Sequence, residues 1–296
     1  MIMKKVLILS LCAVLCAALT SCEKEKDNDG KYNPKKKIQK VYYDSSGEKV
    51  LDQVWNWDGK LLSSVDYYYR GNVNASDQYL YDNNNRITKI ICDNEYLDFA
   101  YENDRIKTIT SFWADESEES YDMFYENNKL SKIEWKAYYI DKGIHDKKLN
   151  PLAGLIPQEC GNLEKAIRKM HTQQKGEDKI IIKLTWDGNN VSHILVYLED
   201  DPDFTIEASF TYDDKINPMR DWIPFWFDEV IGIYDESYYT YSSYGNVTSA
   251  VYVYKDNGVE EDRYVTGFSY EYDGKYPVKV MATEDGDPYY TRYYEY

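Results

Sequence analysis

Apolar and polar residues alternate in short runs along most of the chain, a pattern typical of strands with one buried face. The run Gln78-Tyr79-Leu80-Tyr81, for example, precedes a turn rich in Asp and Asn, and Arg86-Ile87-Thr88-Lys89-Ile90 follows that turn. Asp, Asn and Gly tolerate the left-handed backbone of tight hairpins, so this unit predicts a β-hairpin. A lone hairpin is only marginally stable in water, so such units must pair side by side.

The same pattern recurs eight times, which predicts about sixteen strands in antiparallel meander order. Each copy carries an aromatic anchor next to its turn, and we expect an all-β domain over residues 38–296. The expected fold is an antiparallel meander of repeated β-hairpins in a curled or twisted sheet. The anchors are Trp57, Tyr81, Tyr101, Tyr125, Trp186, Tyr212, Tyr244 and Tyr272.

Two stretches break the repeat, one near residues 136–178 and one near residues 217–236. In the first, Asn162 can cap a short helix over residues 163–170, which presents its apolar residues on one face. We interpret both stretches as insertions that cover an end or an exposed face of the sheet.

The amino terminus has the layout of an export signal over residues 1–21. Lys4 and Lys5 precede an apolar stretch that is too short to cross a bilayer. The sequence Leu-Thr-Ser-Cys that ends at Cys22 resembles the bacterial lipobox, in which a peptidase cuts before a lipid-modified cysteine. The resemblance implies that Cys22 carries acyl lipid such as palmitate and anchors the protein to a membrane.

Residues 22–37 are polar and rich in charge, so we expect a flexible tether after the lipidated cysteine. Acidic residues directly after Cys22 resemble the surface-export signals of Bacteroidetes-type lipoproteins. That resemblance implies an outer-membrane lipoprotein whose domain is exposed at the cell surface. An orientation facing the periplasm remains an alternative.

The charge and the aromatic content narrow the function. A net charge of −17 argues against binding nucleic acid or adsorbing to anionic lipid, both of which require a basic surface. The chain has 32 tyrosines against 8 phenylalanines and 7 tryptophans. Tyrosine combines an apolar ring with a polar hydroxyl, which suits strands with one packed face and one wet face.

The repeated hairpin sequence resembles the YD repeats of Rhs and teneurin-type shells. Each copy begins with an aromatic residue followed by Asp or Glu, and a turn rich in Asn and Gly comes next. The copy ends with Lys or Arg and two aliphatic residues three positions apart. The whole layout is similar to Bacteroidetes surface lipoproteins of unknown function with a YD-like repeat domain. The resemblance covers most of residues 38–296 and transfers no catalytic residue. The copies are few and interrupted, which argues against the closed shell of an Rhs protein.

No pattern in the sequence points to a catalytic or metal centre. The three histidines have no metal-ligand spacing, and no P-loop or nucleophile-elbow motif is present. The acidic clusters at residues 199–203 and 284–287 could hold calcium, but solvated turns are the favoured interpretation, so no cofactor is expected. The acidic residues next to the hairpin turns are expected to cap the turn backbone. They are Asp82, Glu102, Asp187 and Asp213.

Two cysteines remain in the mature domain, Cys92 and Cys160. They could form a disulfide, but two buried free thiols are the favoured interpretation.

The densest aromatic cluster lies in the second insertion and contains Trp222, Phe225, Trp226 and Phe227. It forms either a ligand-binding patch that stacks on sugars or a plug buried against the sheet. The sequence favours a non-enzymatic binding or structural module with a glycan or a protein as its partner. A surface hydrolase acting on polysaccharide or peptide, and a subunit of a larger surface complex, remain alternatives.

Overall fold

The structure is a computed structural model that describes residues 29–93, 95–112, 118–138, 179–223 and 242–296. These residues contain sixteen β-strands, joined in a single sheet in which neighbouring strands run antiparallel. The strands are β1 (Lys40–Ser45), β2 (Glu48–Asp58), β3 (Leu61–Tyr69), β4 (Asn72–Tyr81), β5 (Ile87–Cys92), β6 (Glu95–Glu102), β7 (Arg105–Phe112), β8 (Glu118–Glu126), β9 (Lys129–Tyr138), β10 (Lys179–Asp187), β11 (Asn190–Leu198), β12 (Thr205–Tyr212), β13 (Val247–Asp256), β14 (Val259–Asp273), β15 (Tyr276–Glu284) and β16 (Asp287–Glu295).

The strands follow one another around the sheet in chain order, so the predicted all-β antiparallel meander is confirmed. The first strand also pairs with the last, with Lys40 opposite Glu295 and Tyr42 opposite Tyr293. The sheet is therefore a closed barrel, and the prediction of a curled or twisted sheet that does not close is wrong. Together β16 and β1 form an additional two-stranded unit, built from two distant parts of the chain.

Neither break in the repeat interrupts the barrel. β9 and β10 pair directly across the first break, with Trp135 opposite Ile180. β12 and β13 pair across the second, with Tyr212 opposite Val247. The helix predicted over residues 163–170 lies outside the described residues.

One predicted hairpin anchor is wrong. Tyr244 does not begin a hairpin of its own, because it lies in the loop between the two paired strands β12 and β13. Its side chain is 43% exposed, unlike the anchors that pack against the core. The repeat copies at Tyr212 and Tyr244 are thus the two halves of a single hairpin.

A repeated β-bulge explains how so few hairpins close into a barrel. In seven hairpins the strand register shifts directly before the turn. In the hairpin of β4 and β5, adjacent residues of β4 pair with Lys89 and Ile87, which leaves Thr88 as the extra residue. Ile87 and Ile90 therefore face the same side, and both are fully buried. Bulges bend strands and increase their twist, and their repetition supplies the curvature that closure requires.

The barrel wall is apolar inside and polar outside. Buried side chains such as Leu62, Ile109 and Ile133 belong to one continuous hydrophobic core. On the outer face, ion pairs join neighbouring strands, as between Lys89 and Asp98 at 2.9 Å. A barrel that spans a membrane has the reverse arrangement, with an apolar band facing lipid. The outer wall described here is suited to contact with water.

A ring of hydrogen bonds links each unit to the unit before it, at the end of the barrel that carries the repeat turns. We call this the repeat-turn end. In each unit an aromatic side chain donates a hydrogen bond to a backbone carbonyl of the previous unit, at 2.5–2.8 Å. That carbonyl lies at the beginning of the previous unit's second strand or just before it. The eight bonds run from Trp57 to Ile38, Tyr81 to Leu62, Tyr101 to Ile87, Tyr125 to Ile106, Trp186 to Leu130, Tyr212 to Val191, Tyr270 to Val247 and Tyr296 to Pro277.

The ring gives the repeated aromatic residue a physical role. Six of the predicted anchors are donors in it. At the remaining hairpin Tyr272 donates instead to the carboxylate of Asp213, and Tyr270 makes the bond to the previous unit. The hydroxyl or indole of the anchor thus joins consecutive hairpins. The sequence pattern of a single hairpin does not reveal this contact.

Residues 1–28, including Cys22, lie outside the described residues, so the export signal and the lipid anchor stay predictions. The described chain packs on the barrel before β1, since Tyr32 and Ile38 are almost fully buried. The Tyr32 hydroxyl donates to the carbonyl of Pro218 at 2.8 Å. Across the described ranges, no helix has the length and hydropathy that a membrane span requires.

Candidate functional site

The structure places one member of the predicted aromatic cluster inside the barrel. Trp222 is 4% exposed, and its ring lies 4.6 Å from that of Trp55, centroid to centroid. The other three members, Phe225, Trp226 and Phe227, lie outside the described residues. Ligand binding by the cluster as a whole stays a prediction.

Two of the acidic residues predicted to cap turns do so. The Asp82 carboxylate accepts hydrogen bonds from the backbone N–H groups of Asn84 and Arg86, at 2.8 and 2.9 Å. These bonds and the Arg86 guanidinium lower the pKa of Asp82. The Asp213 carboxylate accepts from the backbone N–H groups of Lys215 and Asn246, both at 3.0 Å.

Two buried carboxylates inside the barrel accept hydrogen bonds from neighbouring aromatic side chains of the core. Asp77 accepts a hydrogen bond from the Tyr67 hydroxyl at 2.8 Å. Glu119 accepts from the Tyr121 hydroxyl at 2.7 Å and from the Trp135 indole at 3.2 Å. These carboxylates face the closed core rather than a solvent-filled cleft, so they are poorly placed to meet a substrate.

Of the two cysteines predicted to remain in the mature domain, the structure describes one. Cys92 is a buried free thiol, and burial raises its pKa to about 12. Cys160 lies outside the described residues. Among the residues whose positions are described, no group of three or more His, Cys, Asp or Glu is arranged to hold a metal ion. His193 lies on the outer face, where its Nδ1 is 3.1 Å from the Ser209 hydroxyl.

A cleft of about 740 Å³ opens on the outer wall near the repeat-turn end, across strands β7 to β10. This volume lies within the range of small-molecule sites, roughly 300–1,000 Å³. Four cationic and two acidic side chains line it, although the whole chain carries a net charge of −17. The cations are Arg105, Lys107, Lys132 and Lys183, and the carboxylates are Glu102 and Glu126.

Three of the cleft residues form a row across adjacent strands. Phe124 on β8 lies directly opposite Lys132 on β9, and Lys132 lies directly opposite Lys183 on β10. Like charges in directly opposed positions repel each other, so this Lys–Lys pair destabilises the sheet. An opposed pair of like charges that lowers stability is a candidate for function.

An aromatic ring holds two of the ammonium groups in place. Lys132 and Lys107 place their Nζ atoms 4.0 and 4.6 Å from the centroid of the Phe124 ring. The ring face is electron-rich, so it attracts both cations without neutralising them. At the rim, the Arg105 guanidinium lies 5.1 Å from the Tyr125 ring centroid.

Most of the positive charge in the cleft is not paired. Lys132 forms an ion pair with Glu134 at 2.7 Å, and hydrogen bonding to Lys132 lowers the pKa of that carboxyl. Arg105, Lys107 and Lys183 make no ion pair with any carboxylate in the described ranges. The cleft can therefore offer three cations to an incoming anion.

Lys107 occupies the position of the extra bulge residue, where most of the other hairpins carry a hydroxyl. The side chains of Ser131 and Ser192 each donate to a carbonyl of the paired strand, at 3.1 and 3.2 Å. Ser63 and Thr88 make the same bond in their hairpins. At this position in the hairpin of β6 and β7, a lysine reaches over Phe124 instead.

Sequence reasoning missed this cleft. Lys132 and Lys183 are separated by the first insertion, so their pairing depends on a strand contact that spans it. A signal was nevertheless present, because Lys107 stands where five of the aligned hairpins have serine or threonine and one has Val278.

No protein-family model and no curated protein matches the chain. Among solved structures, the chain is similar to a porin-like protein from Bacteroides vulgatus, with 11% identity and a TM-score of 0.49 over 88% of this chain and 98% of that one. It is also similar to a porin-like protein from Bacteroides uniformis, with 12% identity and a TM-score of 0.45 over 90% of this chain and 99% of that one. Because both TM-scores are below 0.5, the likeness carries no inference about the activity of this chain.

Proposed function

We propose that the protein is a non-enzymatic binding module for anionic ligands, held at the outer membrane by lipid on Cys22 and exposed at the cell surface. The observation that carries the proposal is the cationic cleft on the outer wall. A strongly acidic protein gathers four cations there and leaves three of them without an ion-pair partner in the described ranges.

The polarity of the barrel wall supports this placement. Ion pairs between strands on the outer face, such as that of Lys89 with Asp98, favour a barrel in water over one within the bilayer. An acyl lipid on Cys22 then supplies the membrane attachment that the wall itself lacks. Gly30 lies at the repeat-turn end, where its carbonyl accepts a hydrogen bond from the Ile87 N–H at 2.9 Å. Because Gly30 is close to Cys22 in the sequence, lipid on Cys22 would keep that end near the membrane.

The proposal favours binding over catalysis because of where the carboxylates lie. Asp77 and Glu119, each bonded to core side chains, are turned into the closed interior. The open cleft presents four ammonium or guanidinium groups against two carboxylates, Glu102 and Glu126, so its excess positive charge attracts and orients anions.

Citrate, a small trianion, tests anion binding directly. We expect isothermal titration of the full chain at low salt to show saturable citrate binding, and glycerol to show none. The double variant Lys132→Gln with Lys183→Gln should weaken citrate binding at least tenfold, since it removes the two directly opposed positive charges. Added salt should weaken the binding as well, because screening reduces attraction between exposed charges.

A matched control exists on another part of the outer wall. Lys49 and Lys279 place their Nζ atoms 4.0 and 5.9 Å from the Tyr293 ring centroid, as two lysines do around Phe124. Changing both to Gln removes the same charge and should leave citrate binding within twofold of the native value. Equal losses in the two double variants would show a general charge effect and overturn the proposal.

The anchor is tested separately. Cells that express the chain and receive an alkyne-labelled palmitate should yield labelled protein in the outer-membrane fraction. Cys22→Ser should abolish the label and release the protein from that fraction. An unchanged label in the Cys22→Ser variant would contradict the lipid anchor without bearing on the cleft.

A further inference from the structure

We propose that the cleft binds a linear acidic polysaccharide, laid around the barrel wall across β7, β8, β9 and β10. The inference rests on the proposed anion-binding function and names the class of ligand. It depends on the direction in which the cations are arranged.

The cations follow the circumference of the barrel rather than converging on one point. Lys107, Lys132 and Lys183 lie on three different strands, with Phe124 on the strand between the first two. Neighbouring strands are about 4.8 Å apart, so the row spans about 14 Å from β7 to β10. A single inorganic anion cannot contact both ends of such a row, whereas an extended chain with a charge on each unit can.

The two directly opposed lysines favour a ligand with closely repeated charges. Lys132 and Lys183 repel each other across the β9–β10 ladder in the free protein. Anionic groups lying between or above them remove that repulsion. A polysaccharide with one carboxylate on each sugar brings charges at about the spacing of adjacent strands.

The closed sheet argues against an extended acidic peptide. Such peptides commonly bind by adding a strand to an open sheet edge, and each strand of the described barrel already has two neighbours. Nucleic acid is disfavoured as well, because its affinity depends on many phosphate contacts and the row is short and flanked by Glu102 and Glu126. A polysaccharide also carries hydroxyl groups that hydrogen-bond to polar side chains, so it depends on fewer cations.

Lys107 is the residue that should distinguish a chain from a small anion. It lies at the β7 end of the row, on the other side of Phe124 from Lys132 and Lys183. A small anion held by the opposed lysines does not need it, whereas an extended ligand does.

The experiment compares oligogalacturonate with galacturonic acid and with fully methyl-esterified oligogalacturonate, each titrated into the full chain. We expect the oligomer to bind at least tenfold more tightly than the monomer, and the uncharged ester to bind no more tightly than the monomer. Lys107→Gln should weaken the binding of both the oligomer and citrate, but the factor for the oligomer should be at least fivefold larger than the factor for citrate. The reason is that the oligomer loses one end of the row, whereas citrate keeps the two opposed lysines. The variant in Lys49 and Lys279 should behave like the native chain.

The failures are distinguishable. If citrate binds in the cleft but the oligomer gains nothing over the monomer, the site takes small anions and the polysaccharide inference is overturned. If the ester binds as tightly as the acid, charge is not the basis of recognition, and the inference is also overturned. Equal affinity for duplex DNA or for phosphatidylglycerol vesicles would reject the assignment to polysaccharide. If citrate does not bind, or if the two double-lysine variants lose citrate binding equally, the proposed function itself is rejected.

Discussion

The indole N–H of Trp222 donates a hydrogen bond to the hydroxyl oxygen of Tyr79 at 2.8 Å, although 143 positions separate them in the chain. The Tyr79 hydroxyl in turn donates to the carbonyl oxygen of Ile223 at 3.2 Å. Trp222 and Tyr79 are both buried, and burial raises the pKa of Tyr79 well above its usual value. This pair holds residues 222–223 against the inside of β4.

Tyr79→Phe should lower the free energy of unfolding by about 1–3 kcal/mol, because it leaves a buried N–H and a buried carbonyl without their partner. Urea denaturation followed by tryptophan fluorescence measures the change. Tyr69→Phe is the control, since Tyr69 is 56% exposed, and should change stability by less than about 0.5 kcal/mol. Equal effects of the two variants would show that the interior bond has no special weight.

The ring of aromatic donors makes a prediction about additivity. Tyr101→Phe and Tyr212→Phe each remove one bond to a neighbouring hairpin and should each lower the free energy of unfolding by about 1 kcal/mol. The two residues lie on strands β6 and β12, far apart around the barrel, so the double variant should show the sum within about 0.5 kcal/mol. A double variant no less stable than either single one would contradict a ring of independent links.

The same tyrosines predict loss of stability at alkaline pH. Burial raises the pKa of Tyr81, Tyr101, Tyr212 and Tyr296 above the usual value near 10. Above that pH the unfolded chain releases phenolic protons that the folded chain keeps. Each such residue therefore removes up to about 1.4 kcal/mol of unfolding free energy per pH unit until its folded pKa is reached.

Urea midpoints at pH 8, 9, 10 and 11 check this prediction. Stability should stay constant up to about pH 9 and fall steeply above pH 10. The double variant Tyr101→Phe with Tyr212→Phe is the control, and its slope above pH 10 should be shallower. A slope unchanged by those substitutions would assign the alkaline loss to other groups.

Sequence reasoning recovered the strands better than their arrangement. The alternation around Tyr81 correctly indicated a hairpin, but simple alternation places Ile87 and Ile90 on opposite faces, whereas the bulge places both inside. Closure of the barrel was missed for the same reason. Its curvature comes from the bulges, and the only sign of a bulge in the sequence is a pair of aliphatic residues three positions apart, such as Ile87 and Ile90. Tyr244 was misplaced because the insertion separates the two strands of one hairpin.

The candidate site was less predictable than the fold. Lys132 and Lys183 become neighbours only through pairing of β9 with β10 across an insertion, and such long-range pairing leaves no local trace in the sequence. The bond of Trp222 to Tyr79 was likewise not predictable from local sequence, because it depends on a distant strand.

At some hairpin-turn positions the backbone is in the left-handed region, so we expect residues that disfavour this conformation to destabilise the fold there. Asn127 and Asn128 have φ values of 50° and 68°, in the left-handed region. Asn128→Val should lower the free energy of unfolding by about 1–2 kcal/mol, since a branched side chain clashes there, and Asn128→Gly should be neutral or stabilising. Thermal denaturation measures both. Asn84→Val, at an exposed turn position outside the left-handed region, is the control and should have a smaller effect.

The cleft predicts a conflict between stability and binding. Lys183→Gln removes the repulsion from Lys132, so it should raise the free energy of unfolding by about 0.2–1 kcal/mol while weakening citrate binding. Urea denaturation at low and high salt tests this, because salt should reduce the difference in stability. A destabilised Lys183→Gln variant would show that the lysine has a structural role and would count against the cleft as a binding site.

The seam between β1 and β16 determines how the barrel must assemble. The Tyr42 hydroxyl donates to the Glu295 carboxylate at 2.9 Å across 253 positions of sequence. Closing a loop of that length costs about 2 kcal/mol more chain entropy than closing a ~20-residue hairpin. We therefore expect the seam to form last, after the local hairpins, and to leave two strands with unpaired backbone groups until it does. Folding intermediates of this protein would then be prone to aggregate through those strands, and the rate of seam closure would set how long that risk lasts.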